Sequence, residues 1–272
     1  MSALCAPAPV GVYDSGLGGL SVLPAIRRLM PGQDLVYVAD SGHLPYGEKP
    51  AQAVVERARR IAEYFMGQGA RAVAVACNTA TAAAIGELRR LHPHCAFVGI
   101  EPAVKPAARL TRSGVIGVLA TSGTLLSGKF RELVAREAPA AEVLVRPCPG
   151  WVELVERGAG IDEAMPAVAA PVSDLLARGA DVLVLGCTHF PFLLPAIRRC
   201  VGNDFPVLET SVPFAQELRR QLLARGAPAG GQAGVAGSLR ILTSGAPADL
   251  APRVAMLLGE AHAVGRLPER YC

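Results

Sequence analysis

The sequence predicts an α/β protein of two similar domains, each a mainly parallel sheet flanked by helices, related by pseudo-twofold symmetry with the functional site between them. Three observations carry this expectation. Strand-length runs are apolar at nearly every position instead of alternating, which requires sheets covered on both faces. Helix-length segments separate those runs, as βαβ units demand. Residues 69–79 also repeat at 179–189, where an offset of 110 superposes a Gly-Ala pair, a four-residue strand and a cysteine.

In chain order, residues 10–13, 35–39, 72–76, 96–100, 114–119, 143–146, 182–185, 207–208 and 239–242 read as strands. Residues 19–28, 51–67 and 214–224 read as helices between them. Arg27-Arg28, Arg89-Arg90 and Arg198-Arg199 each sit shortly before a Pro or Gly, where cations answer the negative end of a helix dipole and its unpaired carbonyls. The crossover into the second unit falls between residues 96 and 114 and the return near Thr210. The expected domains are therefore 1–98 joined with 209–272, and 99–208.

Composition narrows the function classes. Of 272 residues, 51% are apolar and 18% charged, which excludes a disordered chain. The most apolar stretch, residues 182–197, is broken by Gly186, His189, Pro191 and Pro195, so no membrane span is expected. Residues 1–9 carry neither a basic residue nor an apolar run, so no secretory leader and a cytoplasmic location are expected. Seven cysteines, an odd number without a CxxC pair, fit reduced thiols. The net charge of +4 comes with dispersed arginines not interleaved with aromatics, which argues against a nucleic-acid partner.

The repeat places one cysteine per half, Cys77 and Cys187, just past the carboxyl end of a strand, where open α/β sheets bind ligands. Each is followed by polar residues, Asn78-Thr79 and Thr188-His189, at a turn whose helix amides can hold a carboxylate and activate a thiol. Cys5, Cys95, Cys148, Cys200 and Cys272 have no such company and read as filler. Two thiols on opposite walls of one cleft suit inversion of a stereocentre without a cofactor: one takes a proton from one face and the other returns one to the opposite face. A pyridoxal enzyme needs a Schiff-base lysine, and the three lysines, Lys49, Lys105 and Lys129, lie in no such motif. Cys77, Cys187 and His189 lack the fourth ligand and compact spacing of a zinc site. Asp14-Ser15-Gly16-Leu17-Gly18-Gly19 lets backbone approach an anion or a nucleotide, but the third glycine of a dinucleotide fingerprint is missing.

Four motifs resemble the bacterial glutamate racemase family: Val12-Tyr13-Asp14-Ser15-Gly16-Leu17-Gly18-Gly19-Leu20, Pro45-Tyr46-Gly47-Glu48-Lys49, Ala76-Cys77-Asn78-Thr79-Ala80-Thr81-Ala82 and Leu185-Gly186-Cys187-Thr188-His189-Phe190-Pro191. The resemblance covers almost the whole chain in the family's order. It implies cofactor-independent interconversion of L- and D-glutamate, supplying D-glutamate for peptidoglycan, by a homodimer that needs neither metal nor cofactor. Cys77 and Cys187 would be the acid/base pair, Asp14 would assist at Cys77, and His189 and Glu156 at Cys187. Glu153 stands where the family usually has proline, so two carboxylates compete for that last role. Ser15, Tyr46, Gly47, Asn78, Thr79, Thr121 and Thr188 resemble substrate-binding positions, as do Asp14 and His189. The alternatives are a racemase of another acidic or 2-substituted amino acid such as aspartate, or a non-catalytic binder of small carboxylates.

Overall fold

The computed structural model describes residues 8–226 and 236–272, so Cys5 and most of the N-terminal stretch searched for a leader lie outside the described residues. Its strands are β1 (Val10–Asp14), β2 (Leu35–Ala39), β3 (Ala72–Val75), β4 (Ala96–Gly99), β5 (Val115–Ala120), β6 (Glu142–Pro147), β7 (Val182–Leu185), β8 (Val207–Leu208), β9 (Leu239–Thr243) and β10 (Val264–Arg266). The helices are α1 (Leu23–Leu29), α2 (Ala51–Gly67), α3 (Asn78–Leu91), α4 (Val104–Leu110), α5 (Ser122–Leu125), α6 (Gly128–Glu137), α7 (Trp151–Glu156), α8 (Ile161–Ala177), α9 (Leu194–Val201), α10 (Ser211–Ala224) and α11 (Pro247–Leu258). Each of the nine expected strands is present, with ends displaced by at most one residue; β10 was not anticipated.

The strands form two sheets, ordered β10-β9-β2-β1-β3-β4 and β6-β5-β7-β8, and every pairing is parallel. The internal repeat is thus a repeat of topology: β2-β1-β3-β4 and β6-β5-β7-β8 have the same order, and the first sheet adds β9 and β10 at one edge. In each, the strand order reverses at the centre, between β1 and β3 and between β5 and β7. That is where the carboxyl ends of parallel strands leave a crevice.

Strands β1, β2, β3 and β7 are buried at every residue, because helices cover both faces of their sheets. On one face of the first sheet Val12, Tyr37 and Ala74 pack with Phe214 and Leu218 of α10; on the other Tyr13, Val38 and Val75 pack with Ile61 and Phe65 of α2. The second sheet is covered likewise, with Leu183 and Leu185 toward α7 and α8, and Val182 and Val184 toward Val104 and Phe130. Each fully buried Val, Leu, Ile or Phe among them contributes about 1.5–3 kcal/mol.

The expected helix at 19–28 is two elements, a 3₁₀ turn over Gly18–Val22 and then α1. The Gly19 amide is engaged by Asp14 and the Leu20 amide by the Leu17 carbonyl, so the chain closes three-residue turns before Pro24 opens the α-helix. All three arginine pairs lie in the last turn of their helices. Arg27 donates to the Gln33 and Ser238 carbonyls, Arg89 to that of Phe97, and Arg198 to those of Gly202, Asn203 and Phe205.

Candidate active site

The carboxyl ends of the two sheets face each other across a narrow seam. The first sheet contributes residues 14–19 after β1, the turn Tyr46–Glu48, and Cys77-Asn78-Thr79 at the start of α3. The second contributes Thr121 at the start of α5, Glu156 at the end of α7, and Cys187-Thr188-His189 after β7. Asp14, Ser15, Tyr46, Asn78, Thr79, Thr121, Glu156, Thr188 and His189 are all buried there, as are both thiols.

Cys77 is the N-cap of α3, and its Sγ accepts the Ala80 amide at 3.4 Å and lies 3.7 Å from Ser15 Oγ. Burial pushes its thiol well up, the Asp14 charge pushes it further and that of Cys187 adds to both; the Ala80 amide and the Ser15 hydroxyl offset only part. Asp14 is fully buried, its Oδ2 accepting the Gly19 amide at 2.7 Å while its Oδ1 has no hydrogen-bond partner among the described residues. Burial raises its carboxyl and the Glu156 charge adds to that, against the opposing charge of His189 and the amides of Gly19 and Ser15.

Around Cys187 the arrangement differs. His189 Nδ1 is 3.7 Å from Cys187 Sγ, and its Nε2 is 2.7 Å from Glu156 Oε1. The same carboxylate oxygen accepts the Leu17 amide of the first sheet at 2.6 Å. The Gly18 amide approaches Nε2 to 3.2 Å, but a nitrogen that donates to Glu156 cannot also accept, so the shorter bond decides. Burial alone would push His189 down. Its bonds to Cys187 and Glu156, with their charges, outweigh that and hold it well above an ordinary histidine, as an imidazolium at neutral pH. Trp151 at the head of α7 packs on Phe190 with ring centroids 4.7 Å apart, which fixes the helix carrying Glu156 against the turn carrying His189.

Glu153 is exposed, whereas Glu156 meets His189. Tyr46 reaches the seam only through its backbone: its hydroxyl turns into the first sheet's core, donating to Asp40 Oδ2 at 2.5 Å and accepting from Tyr13 at 2.8 Å. Gly47 lies against Thr121, so close that a Cβ would sit 2.9 Å from the Thr121 Cβ. Thr79 Oγ1 meets Thr121 Oγ1 at 3.0 Å across the seam, and Thr124 joins them. Cβ atoms on Gly16 and Gly18 would overlap the Glu156 carboxylate and the His189 ring, so these two glycines permit the halves to meet. Beside the seam lies a small pocket of about 30 Å³, lined by Pro45, Gly47, Thr121, Cys148 and Glu153 among others but by neither Cys77 nor Cys187.

Both the sequence and the fold that build this seam have known relatives. Residues 20–217 match the family model described as Asp/Glu/Hydantoin racemase. The chain belongs to that racemase family. It is 54% identical over 244 residues to the glutamate racemase of Pseudomonas putida strain F1, covering 88% of this chain and 90% of that protein. Among solved structures, this member of the racemase family is similar to a glutamate racemase isoform from Bacillus anthracis, at a TM-score of 0.84 and 28% identity over 96% of this chain and 97% of that one. It is equally similar in fold to Escherichia coli glutamate racemase in complex with L-glutamate and the activator UDP-MurNAc-Ala, at a TM-score of 0.83 and 31% identity over 96% and 98% of the two chains.

Within this racemase fold, two contributors do not stand out in the sequence. The Leu17 amide is a backbone donor that any residue supplies, and Thr124 is one threonine in a turn segment. Burial pushes the thiols of Cys95 and Cys148 up to about 12. Among the described residues no group of three or more His, Cys, Asp or Glu side chains is placed to hold a metal ion, and no helix is long and apolar enough to cross a membrane.

Proposed function

We propose that this protein interconverts L- and D-glutamate by a two-base mechanism without metal or organic cofactor, with Cys77 and Cys187 as the acid/base pair. The observation that carries it is the placement of one thiol at the reversal point of each of two topologically equivalent sheets, facing one seam. One cysteine, as thiolate, removes the Cα proton; the C–H electron pair stays on carbon, delocalised into the α-carboxylate. The other cysteine, as thiol, delivers its proton to the opposite face and is left as the thiolate. The two roles exchange in the reverse direction.

The neighbours support separate duties. The His189 imidazolium, 3.7 Å from Cys187 Sγ, stabilises the negative charge left when Cys187 gives up its proton, and Glu156 holds the ring in place. Asp14, with its unpaired Oδ1, receives the substrate ammonium beside Cys77. Hydroxyls and amides of Ser15, Gly47, Asn78, Thr79, Thr121 and Thr188 receive the carboxylates. The domains are 1–98 with 209–272 and 99–208, with the substrate held between them. The product serves peptidoglycan synthesis, the enzyme acts in the cytoplasm, and it works as a homodimer.

Circular dichroism of the protein with each of a panel of free amino acids in deuterium oxide tests the assignment. Loss of signal for glutamate, with solvent deuterium entering at Cα, is the expected result. Racemisation of aspartate in preference to glutamate would reassign the substrate, and an intact C–H bond throughout would leave a binding protein.

A further inference from the structure

Two fully or nearly fully buried charges take no part in the chemistry above. Asp40, at the end of β2, is 0% exposed, and Arg57, on the inner face of α2, is 6% exposed. Buried charges are retained in a fold only with their hydrogen bonds satisfied, and these are. Arg57 donates through Nε to Asp40 Oδ2 at 2.9 Å and through Nη2 to Oδ1 at 2.8 Å, a two-pronged pairing that fixes the carboxylate plane. His43 Nδ1 meets Oδ1 at 3.1 Å, and the Tyr46 hydroxyl donates to Oδ2 at 2.5 Å. Arg57 Nη2 also donates to the Tyr271 carbonyl at 2.7 Å, which ties the C-terminal turn to the same point.

Tyr46 immediately precedes Gly47, which stands so near the opposite half that a Cβ on Gly47 would meet Thr121 at 2.9 Å and a Cβ on Gly123 would meet the Gly47 carbonyl at 3.0 Å. The side chain of Tyr46 points into one half and its backbone leads to the other. We propose that Asp40 and Arg57 are positioning residues which, through the Tyr46 hydroxyl, fix the Gly47 peptide against Thr121 at the mouth of the seam and thereby set the affinity for substrate. The role in affinity rests on the glutamate reading above; the tether itself does not. Neither residue touches the reacting atoms. The arrangement acts on binding because the Gly47 peptide must already stand in place when a carboxylate arrives.

The test uses Tyr46→Phe, which deletes one oxygen, and Arg57→Lys, which keeps the charge but loses the fork. Asp181→Asn, far from the seam in the turn that receives the Arg112 and Ser113 amides, is the control for general loosening. Backbone hydrogen exchange over residues 44–49 should accelerate in the first two variants and remain at the wild-type rate in the third. KM for glutamate should rise about tenfold, with kcat falling less than about threefold, in Tyr46→Phe and Arg57→Lys only. Wild-type exchange over 44–49, faster exchange with an unchanged KM, or the same KM rise in Asp181→Asn overturns the proposal. Should the wild type fail to racemise glutamate, the functional reading fails while exchange over 44–49 still decides the tether. If Arg57→Lys does not fold, Tyr46→Phe carries the test alone.

Discussion

Glu156 and His189 come from different elements of the second half, yet Oε1 and Nε2 lie 2.7 Å apart and the same oxygen accepts the Leu17 amide of the first half at 2.6 Å. One carboxylate therefore orients the imidazolium beside Cys187 and also bridges the seam. Removing its charge should affect both. In Glu156→Gln, a buried imidazolium loses its partner, and the expected destabilisation is about 3 kcal/mol. Glu153→Gln, at an exposed position of the same helix, should stay within about 0.5 kcal/mol. Urea denaturation of both variants measures the difference.

The same pair makes stability depend on pH. A histidine whose folded pKa is raised adds stability that is complete below its unfolded value of about 6.5 and is lost as pH rises through the folded value. The wild type should therefore lose stability above about pH 6.5. In Glu156→Gln, where one of the raising interactions is gone, that loss should be smaller. Denaturation midpoints from pH 5 to 9 distinguish the two, and parallel profiles would place the wild-type slope elsewhere.

The glycines of the first loop set how closely the halves approach. A Cβ on Gly18 would occupy the position of the His189 ring, itself buried and held by Glu156. Gly18→Ala should lower kcat at least about tenfold, with destabilisation of about 1–3 kcal/mol, the usual range for overpacking. Gly86→Ala, with nothing near its Cβ on α3, should leave turnover unchanged. Equal activity in the two variants would mean that His189 need not stay where it is.

Much of this architecture is legible in the sequence because parallel strands buried on both faces are apolar throughout, as Ala72-Val73-Ala74-Val75 and Val182-Leu183-Val184-Leu185 are. β10 is not, since Val264-Gly265-Arg266 is three residues long with a glycine at its centre. The site cysteines stand out through the repeat. Arg57 does not, because one arginine in an amphipathic helix reads as solvated, and only the tertiary placement of Asp40 shows otherwise. Tyr46 is legible as a motif residue, but the direction of its hydroxyl depends on Asp40 and Tyr13, which no local pattern encodes.

If each thiol serves one face of Cα, as proposed, Cys77→Ala and Cys187→Ala should each abolish racemisation, leaving less than a tenth of wild-type turnover in both directions. The Cys→Ser forms should be nearly as impaired, by roughly 10²–10⁴-fold, since a hydroxyl is a poor base at neutral pH. Polarimetry from each enantiomer reads both directions. Appreciable two-way turnover in either alanine variant would remove the two-base assignment.

The two faces carry unlike helpers, and this asymmetry should be measurable. Cys77 sits beside the Asp14 carboxyl, which pushes its thiol up after burial has done so, whereas Cys187 faces the His189 imidazolium at 3.7 Å. Cys77 is therefore held as the thiol. His189→Asn removes the donor that stabilises charge on Cys187, and Asp14→Asn removes the negative charge beside Cys77. Each should lower kcat unequally in the two directions, His189→Asn in the direction limited by charge on Cys187 and Asp14→Asn in the steps at Cys77. Because the enantiomers are equal in free energy, kcat/KM must change by the same factor both ways, so any one-sided loss in kcat has to appear together with a matching change in KM. Progress curves from pure L- and pure D-glutamate give both constants. Equal losses of kcat in the two directions for both variants would mean that Asp14 and His189 serve substrate binding and not one face each.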